Sequence, residues 1–179
     1  HGVSRTTLQH IATAAGVTRG AIYWHFVDKG AVFSAMMERA TMPMDAAVKL
    51  AGERAPTDPL QSLRDEMMAV LQIVEGDEKA RRVFEIATLK TEFTDEVDSA
   101  RAHKRESVAR WRGRLQDQFA QAKAEGTLPA SVDPRNASMC MWVMLDGLIR
   151  NWIFEPGAFE LVDLGAELID TYIAGLRTR

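Results

Sequence analysis

Apolar residues recur at helical spacing along nearly the whole chain. Leu8, Ile11, Ala12 and Ala15 fall at i, i+3, i+4 and i+7, which puts them on one helical face. Thr6 or Thr7 can cap this helix, because a hydroxyl oxygen accepts one of the orphan N–H groups. Gly16 follows the last periodic residue, where a left-handed backbone suits a residue without Cβ. Thr18 can then cap a second, short helix that turns Ile22 and Phe26 inward. Small alanines, a glycine turn and an apolar anchor on the second helix make a helix-turn-helix. Asp28 caps a third helix carrying Val32, Phe33, Met36, Met37 and Ala40 on one side. Pro43 predicts a kink or break between positions 41 and 45, with the helix resuming to about position 54.

The rest also reads as helix. The stretch 55–59 is a loop, ending in the cap Asp58 and a proline at the first helical position. Leu60, Leu63, Met67, Leu71 and Val74 mark the next face, and Gly76-Asp77 ends it. Ala80, Val83, Phe84 and Ala87 mark another helix, reaching Lys90. A long helix starts at Thr94 or Asp95 and reaches about Glu125, with Val108, Trp111, Leu115, Phe119 and Ala122 in line and arginines on its outer face. Gly126, Leu128 and Pro129 end it. Asp133-Pro134 opens a helix that is almost uniformly apolar over 139–153, a pattern that calls for burial on several sides. Glu155-Pro156-Gly157 ends it, and a last helix over 159–176 aligns Leu161, Leu164, Leu168, Tyr172 and Ile173. No window alternates apolar and polar residues as a strand would, so the fold class is all-α.

Composition narrows the class. Of the 179 residues, 46% are hydrophobic and 26% charged, as in ordinary globular proteins. No apolar run approaches the ~18 residues of a membrane span, and no leader pattern is visible. Cys140 is the only cysteine, which excludes an intrachain disulfide and fits a reducing cytoplasm. It sits in an apolar stretch and reads as a core thiol rather than a sensor. The net charge is −3, yet positions 1–29 carry +2 and the remainder −5. A basic end on an acidic body suits a protein that offers one surface to nucleic acid. Catalysis finds no support. His1, His10, His25 and His103 have no partners at metal-ligand spacing, and there is no phosphate loop or nucleophile elbow. No cofactor is expected. Asp146 reads as a hydrogen-bonded core or interface residue rather than an acid catalyst.

The outer face of the second helix gathers Arg19, Tyr23, Trp24 and His25 around the small Gly20 and Ala21. Such a face can meet phosphates and base edges, though the pattern alone equally describes a helical hairpin with a decorated surface. The run Ile11-Ala12, Ala15-Gly16-Val17-Thr18-Arg19-Gly20-Ala21-Ile22-Tyr23-Trp24-His25-Phe26, Asp28-Lys29 and Phe33 closely resembles the DNA-binding domain of TetR-family transcriptional repressors. Segment 20–26 is most similar to their efflux-pump branch. Family members carry a helix before the motif, and this chain opens at His1-Gly2-Val3-Ser4, where that helix would just have ended.

The resemblance implies a helix-turn-helix DNA-binding domain over 1–40 and a larger helical effector-binding and dimerisation domain over 41–179. It implies DNA contacts at Thr7, Thr18, Arg19, Gly20, Tyr23, Trp24, His25 and Lys29. Of these, Thr7, Tyr23, His25 and Lys29 have phosphate-contact chemistry, and the fork of Arg19 suits guanine. Trp24 divides evenly between packing on sugar and supporting the domain.

Nine methionines in 179 residues are either core filler or the lining of an adaptable apolar cavity. The resemblance favours the cavity and implies pocket positions Met37, Thr41 and Met44; Met67, Leu71, Trp111 and Met141 join them by facing direction. Leu145, Leu148, Trp152, Leu164 and Leu168 are the expected homodimer contacts, the alternative being closure of a monomer core. The function implied is a cytoplasmic homodimeric repressor that binds a palindromic operator, is released by a hydrophobic effector and controls a multidrug efflux pump. The alternative is a helical ligand-binding or interaction protein that does not use DNA.

Overall fold

A computed structural model describes residues 3, 5–53, 58–90 and 98–178. Eight helices and no strand occur among the described residues: α1 Leu8–Ala15, α2 Arg19–His25, α3 Lys29–Glu53, α4 Pro59–Gly76, α5 Glu78–Leu89, α6 Asp98–Ala124, α7 Pro134–Phe154 and α8 Leu161–Arg177. The loop at 55–57 and the helix start at Thr94 or Asp95 lie outside the described residues, as do His1 and Arg54.

The helix ends are set by short-range chemistry. Asp58, Asp77 and Asp133 cap α4, α5 and α7, each accepting a main-chain N–H two residues on, at 2.9, 2.8 and 2.8 Å. Pro59 and Pro134 follow two of these caps at the position where a missing N–H costs least. The last helix starts at Leu161 rather than near position 159, and its own Glu160 makes no side-chain cap. Glu75 of α4 supplies that cap instead, its Oε1 accepting the Val162 N–H at 3.3 Å.

Pro43 does not break α3. The helix runs unbroken from Lys29 to Glu53 with the proline inside it. The reason lies in which side the ring takes. Pro43 is exposed, as is Arg39, whose carbonyl loses its partner, while Ala40, Met44 and Val48 are buried at helical spacing and hold both halves to the body.

α4 is the centre of the body. Leu60, Leu63, Met67, Leu71 and Val74 are all buried, and α3, α5, α6 and α8 pack around it. α7 closes the far side against α6 and α8. Gly165 lets α8 approach: a Cβ there would lie 2.2 Å from Leu71 Cδ1 and 3.3 Å from Leu148 Cδ2. Arg64 clamps the same pair of helices, with Nε and Nη2 donating to the two carboxylate oxygens of Asp170 at 2.5 and 2.9 Å. That fork holds the Asp170 carboxyl below its ordinary range. Arg177 near the end of α8 pairs with Asp58 at the start of α4.

Two buried side chains among the described residues are polar: Ser138, whose hydroxyl donates to the Arg135 carbonyl at 2.9 Å, and Glu66. Glu66 is 6% exposed, and its Oε1 accepts from Gln118 Nε2 of α6 at 2.6 Å. Burial pushes its carboxyl above the ordinary range, against the Gln118 hydrogen bond and the charge of Arg114.

Two expectations are corrected by α7 and its neighbours. The helix is not buried on several sides within the chain: Met139, Val143 and Phe154 are exposed along one face. Cys140 is exposed as well, not a core thiol. Asp146 is partly exposed and accepts from Arg150 Nε at 2.6 Å.

Gly165→Ala should destabilise the fold by about 1–3 kcal/mol, because both leucines it would meet are already buried; a lower denaturation midpoint with unchanged slope checks this. Glu66→Gln should act oppositely and with pH. The folded state holds the Glu66 proton more tightly than the unfolded chain, so the cost of ionised Glu66 grows as pH rises through its raised range. The variant should therefore melt higher than the parent at neutral pH, and the gap should close on acidification to about pH 4.

Candidate functional site

The first two helices form a small unit with its own core. Leu8 and Ala12 of α1 meet Ile22 of α2, with Ile11 and Val32 packed against them. Ala12 is wholly buried, so α2 crosses α1 where only a methyl group stands between them. Thr7 caps α1 reciprocally: its Oγ1 accepts the His10 N–H at 3.2 Å, and His10 Nδ1 accepts the Thr7 N–H at 3.4 Å. This is a capping box with histidine where glutamate is usual. Gly16 turns the chain at φ 69°, and its N–H and that of Val17 close onto carbonyls of the last turn. Thr18 caps α2, its Oγ1 accepting the Ala21 N–H at 3.2 Å.

With Ile22 committed inward, the rest of α2 faces out. Tyr23 is 48% exposed and Trp24 83%. The Arg19 guanidinium lies 5.2 Å from the Tyr23 ring centroid, and the Trp24 and His25 rings meet edge-on at 4.9 Å. Gly20 has no internal reason to be glycine, since a Cβ there would find only Thr18 Oγ1, at 3.9 Å. Its clearance is therefore available to something outside the chain. Asp28 Oδ1 accepts the Ala31 N–H at 2.7 Å, which places half-buried Lys29 at the start of α3 beside this face. Thr7, Thr18, Arg19, Gly20, Tyr23, Trp24 and His25 are all exposed. Val17 and Val27, also exposed, flank the face and were not singled out from the sequence.

The expected pocket residues do not all meet. Met44, Met67, Leu71 and Met141 are buried in the main core, with half-buried Trp111 packed against it. Met37 belongs to a separate cluster with Phe33, Met36, Val3, Ile86 and Ala87. Thr41 is half-buried on α3 and belongs to neither cluster, its hydroxyl donating to the Glu38 carbonyl at 3.1 Å. Glu66 and Gln118 in the same interior escaped the sequence reading. The signal was an acid at position 66 inside the buried series Leu63, Met67 and Val70.

The expected dimer contacts divide too. Leu145 and Leu148 face the chain's own core, Trp152 and Leu164 are half-buried against it, and Leu168 is exposed. Among the described residues no group of His, Cys, Asp or Glu could hold a metal ion, and no helix is long and apolar enough to cross a membrane.

Residues 1–36 match the family profile of bacterial regulatory proteins of the tetR family, and residues 58–178 match the C-terminal region of MAATS-type transcriptional repressors. The HTH-type transcriptional regulator TtgR of Pseudomonas putida is 34% identical over 176 residues, covering 98% of this chain and 84% of its own length. The regulator AcrR of Shigella flexneri is 35% identical over 176 residues, covering 96% and 82%. Among solved structures, NalD, the secondary repressor of the MexAB-OprM multidrug efflux pump in Pseudomonas aeruginosa, superposes with a TM-score of 0.86 at 33% identity, over 98% of this chain and 87% of that one. The triclosan complex of SmeT superposes with 0.84 at 27% identity, over 98% and 83%. Regulators of this kind are DNA-binding proteins, not enzymes. The two profiles, the relatives and the eight-helix architecture agree: the chain belongs to the TetR family of transcriptional repressors.

Proposed function

We propose that this repressor binds a palindromic operator as a homodimer, is released by an apolar effector, and governs a multidrug efflux pump in the cytoplasm of its cell. The observation that carries the reading is the outward face of α2, where Arg19, Tyr23, Trp24 and His25 stand exposed around Gly20. Arg19 is the base reader, because its fork matches the O6 and N7 acceptors of guanine. Thr7, Thr18, Tyr23, His25 and Lys29 set position on phosphates, and Gly20 lets a backbone phosphate come close. Trp24 is too exposed to support the domain, so it packs on the sugar-phosphate edge.

The effector enters the helical body among Met44, Met67, Leu71, Trp111 and Met141, with Thr41 and Met37 toward the DNA-binding end. Two contacts support a route outward from there. The Val3 N–H donates to the Lys90 carbonyl at 2.9 Å, tying the start of the chain to the end of α5. Phe33 of α3 and Ala87 of α5 share the small apolar cluster around them. An effector that displaces α5 or α3 thereby biases the pose of α2. The DNA-binding part, residues 1–40, and the effector part, residues 41–179, share α3, which crosses the division. Efflux control is supported by the similarity to NalD and SmeT, each the repressor of a multidrug efflux pump.

The dimer forms on the exposed apolar face of α7 and α8. Val143 is 58% exposed and Phe154 72%, with Met139 and Leu168 alongside. Leu164 and Trp152 border this face; Leu145 and Leu148 support it from inside.

Arg19→Ala should cost roughly 1–3 kcal/mol of operator affinity and relax preference at one base position, whereas Lys29→Ala should weaken all sequences alike and lower the salt slope by about one. Mobility shifts at several salt concentrations on selected and scrambled sites check this. Binding of both variants indistinguishable from the parent would remove α2 from the interface. Val143→Glu should convert the dimer to a folded monomer by sedimentation and weaken operator binding; an unchanged mass would move the twofold contact elsewhere.

A further inference from the structure

Glu66 and Gln118 form a polar pair that the apolar interior does not need. Glu66 lies on α4 among buried Leu63, Met67 and Val70. The hydrogen bond from Gln118 Nε2, at 2.6 Å, supplies one donor to its carboxylate. Gln118 Oε1 is buried and meets no donor. An ionised carboxylate and an amide oxygen both only accept, so the pair holds surplus acceptors and too few donors. Reversing the Gln118 amide would set its oxygen against the charged carboxylate, so the orientation holds while Glu66 is ionised.

Arg114 lies one turn before Gln118 on α6 and acts on Glu66 through space. Its hydrogen bond goes elsewhere, from Nη2 to Asp45 Oδ1 at 3.1 Å, and its guanidinium stacks 5.4 Å from the Trp111 ring centroid. Arg114 is thus a neighbouring charge of Glu66 but not its hydrogen-bond partner. The surrounding interior is the one that holds Met44, Met67 and Met141.

We propose that Glu66 and Gln118 are the polar anchor of the effector site, selecting apolar molecules that carry a cationic N–H donor, such as a protonated amine, over neutral molecules of the same shape. The proposal rests on the effector reading given above. A bound ammonium group donates to the Glu66 carboxylate and to the orphan Gln118 oxygen at once. It also repels Arg114, which bridges α6 to α3 through Asp45, so occupancy is felt on the helix that carries the DNA-binding end.

The test uses a matched pair of probes, 1-naphthylmethylamine, protonated at about pH 7, and the neutral 1-naphthalenemethanol. Calorimetry gives the affinity of each, and operator release is followed in parallel. The whole protein should prefer the amine by about tenfold or more, as a charge-assisted contact in a dry site would. Glu66→Gln should bring the ratio of the two affinities close to one. Gln118→Leu, which keeps the carboxylate but removes the orphan oxygen, should lower amine affinity severalfold. Equal affinities in the parent protein, or a preference that survives Glu66→Gln, would overturn the proposal. If the alcohol still releases operator in that case, the effector reading stands and only the anchor falls. If neither probe binds or releases operator, both fall together.

Discussion

The contact between Ala12 and Ile22 decides what this protein can present to DNA. Ala12 is wholly buried, Ile22 nearly so, and Leu8 closes the same small core. A larger side chain at position 12 would push α2 away from α1, and the exposed quartet on α2 would tilt with it. The helix is only seven residues long, too short to hold itself in water. Its shape comes from the Thr18 cap, the Gly16 turn and that one close crossing. The proposed recognition chemistry therefore stands on a fold element with almost no stability of its own, propped by α1 beneath it and by Val32 of α3.

The body solves a different problem. α4 is buried on several sides, and each neighbour is fastened to it by its own device. α8 is drawn close by the absence of a side chain at Gly165, capped by Glu75 and clamped by the Arg64–Asp170 fork. Half-exposed ion pairs contribute little to stability, but a two-pronged fork fixes orientation. The tightest and most polar fastening joins α4 to α8, while the α4–α6 seam carries the under-satisfied Glu66 and Gln118. The firmest fastening and the under-satisfied polar pair thus lie on different flanks of one helix.

Local chemistry was legible in the sequence, and non-local chemistry was not. The caps at Thr18, Asp28, Asp58 and Asp133, the cap at one of Thr6 and Thr7, and the turn at Gly16 were readable, because each acts within a few residues of itself; Asp77 was read only as a helix end and also caps α5. The face of α2 followed from the one apolar residue it must bury. Pro43 misled because its effect depends on which side of α3 faces water, a matter of tertiary packing. The nearly uniform apolarity of α7 concealed which face stays open: Leu145 and Leu148, read as dimer contacts with core closure as the alternative, are buried in the chain's own core, while Val143 and Phe154 are exposed. Cys140 was misread for the same reason. The Glu66–Gln118 pair spans 52 positions, and the Val3–Lys90 bond joins segments nearly as remote as any in the chain's first half. Periodicity carries no information about such partners.

The unbroken course of α3 bears on how the proposed release could work. Val32 belongs to the core of α1 and α2, Phe33 to the cluster shared with α5, and Met44 and Val48 to the main interior. One helix therefore touches all three apolar clusters. A helix broken at position 43 would let the body repack without moving the DNA-binding end, because the joint would absorb the change. A continuous helix instead carries a small rotation of its inner half to its outer half, and α2 rests on that outer half through Val32. Pro43, itself exposed, still deletes one rung of the backbone ladder near the midpoint. For the proposed release, the continuity of α3 past Pro43 is therefore the feature that lets the body and the DNA-binding end move together.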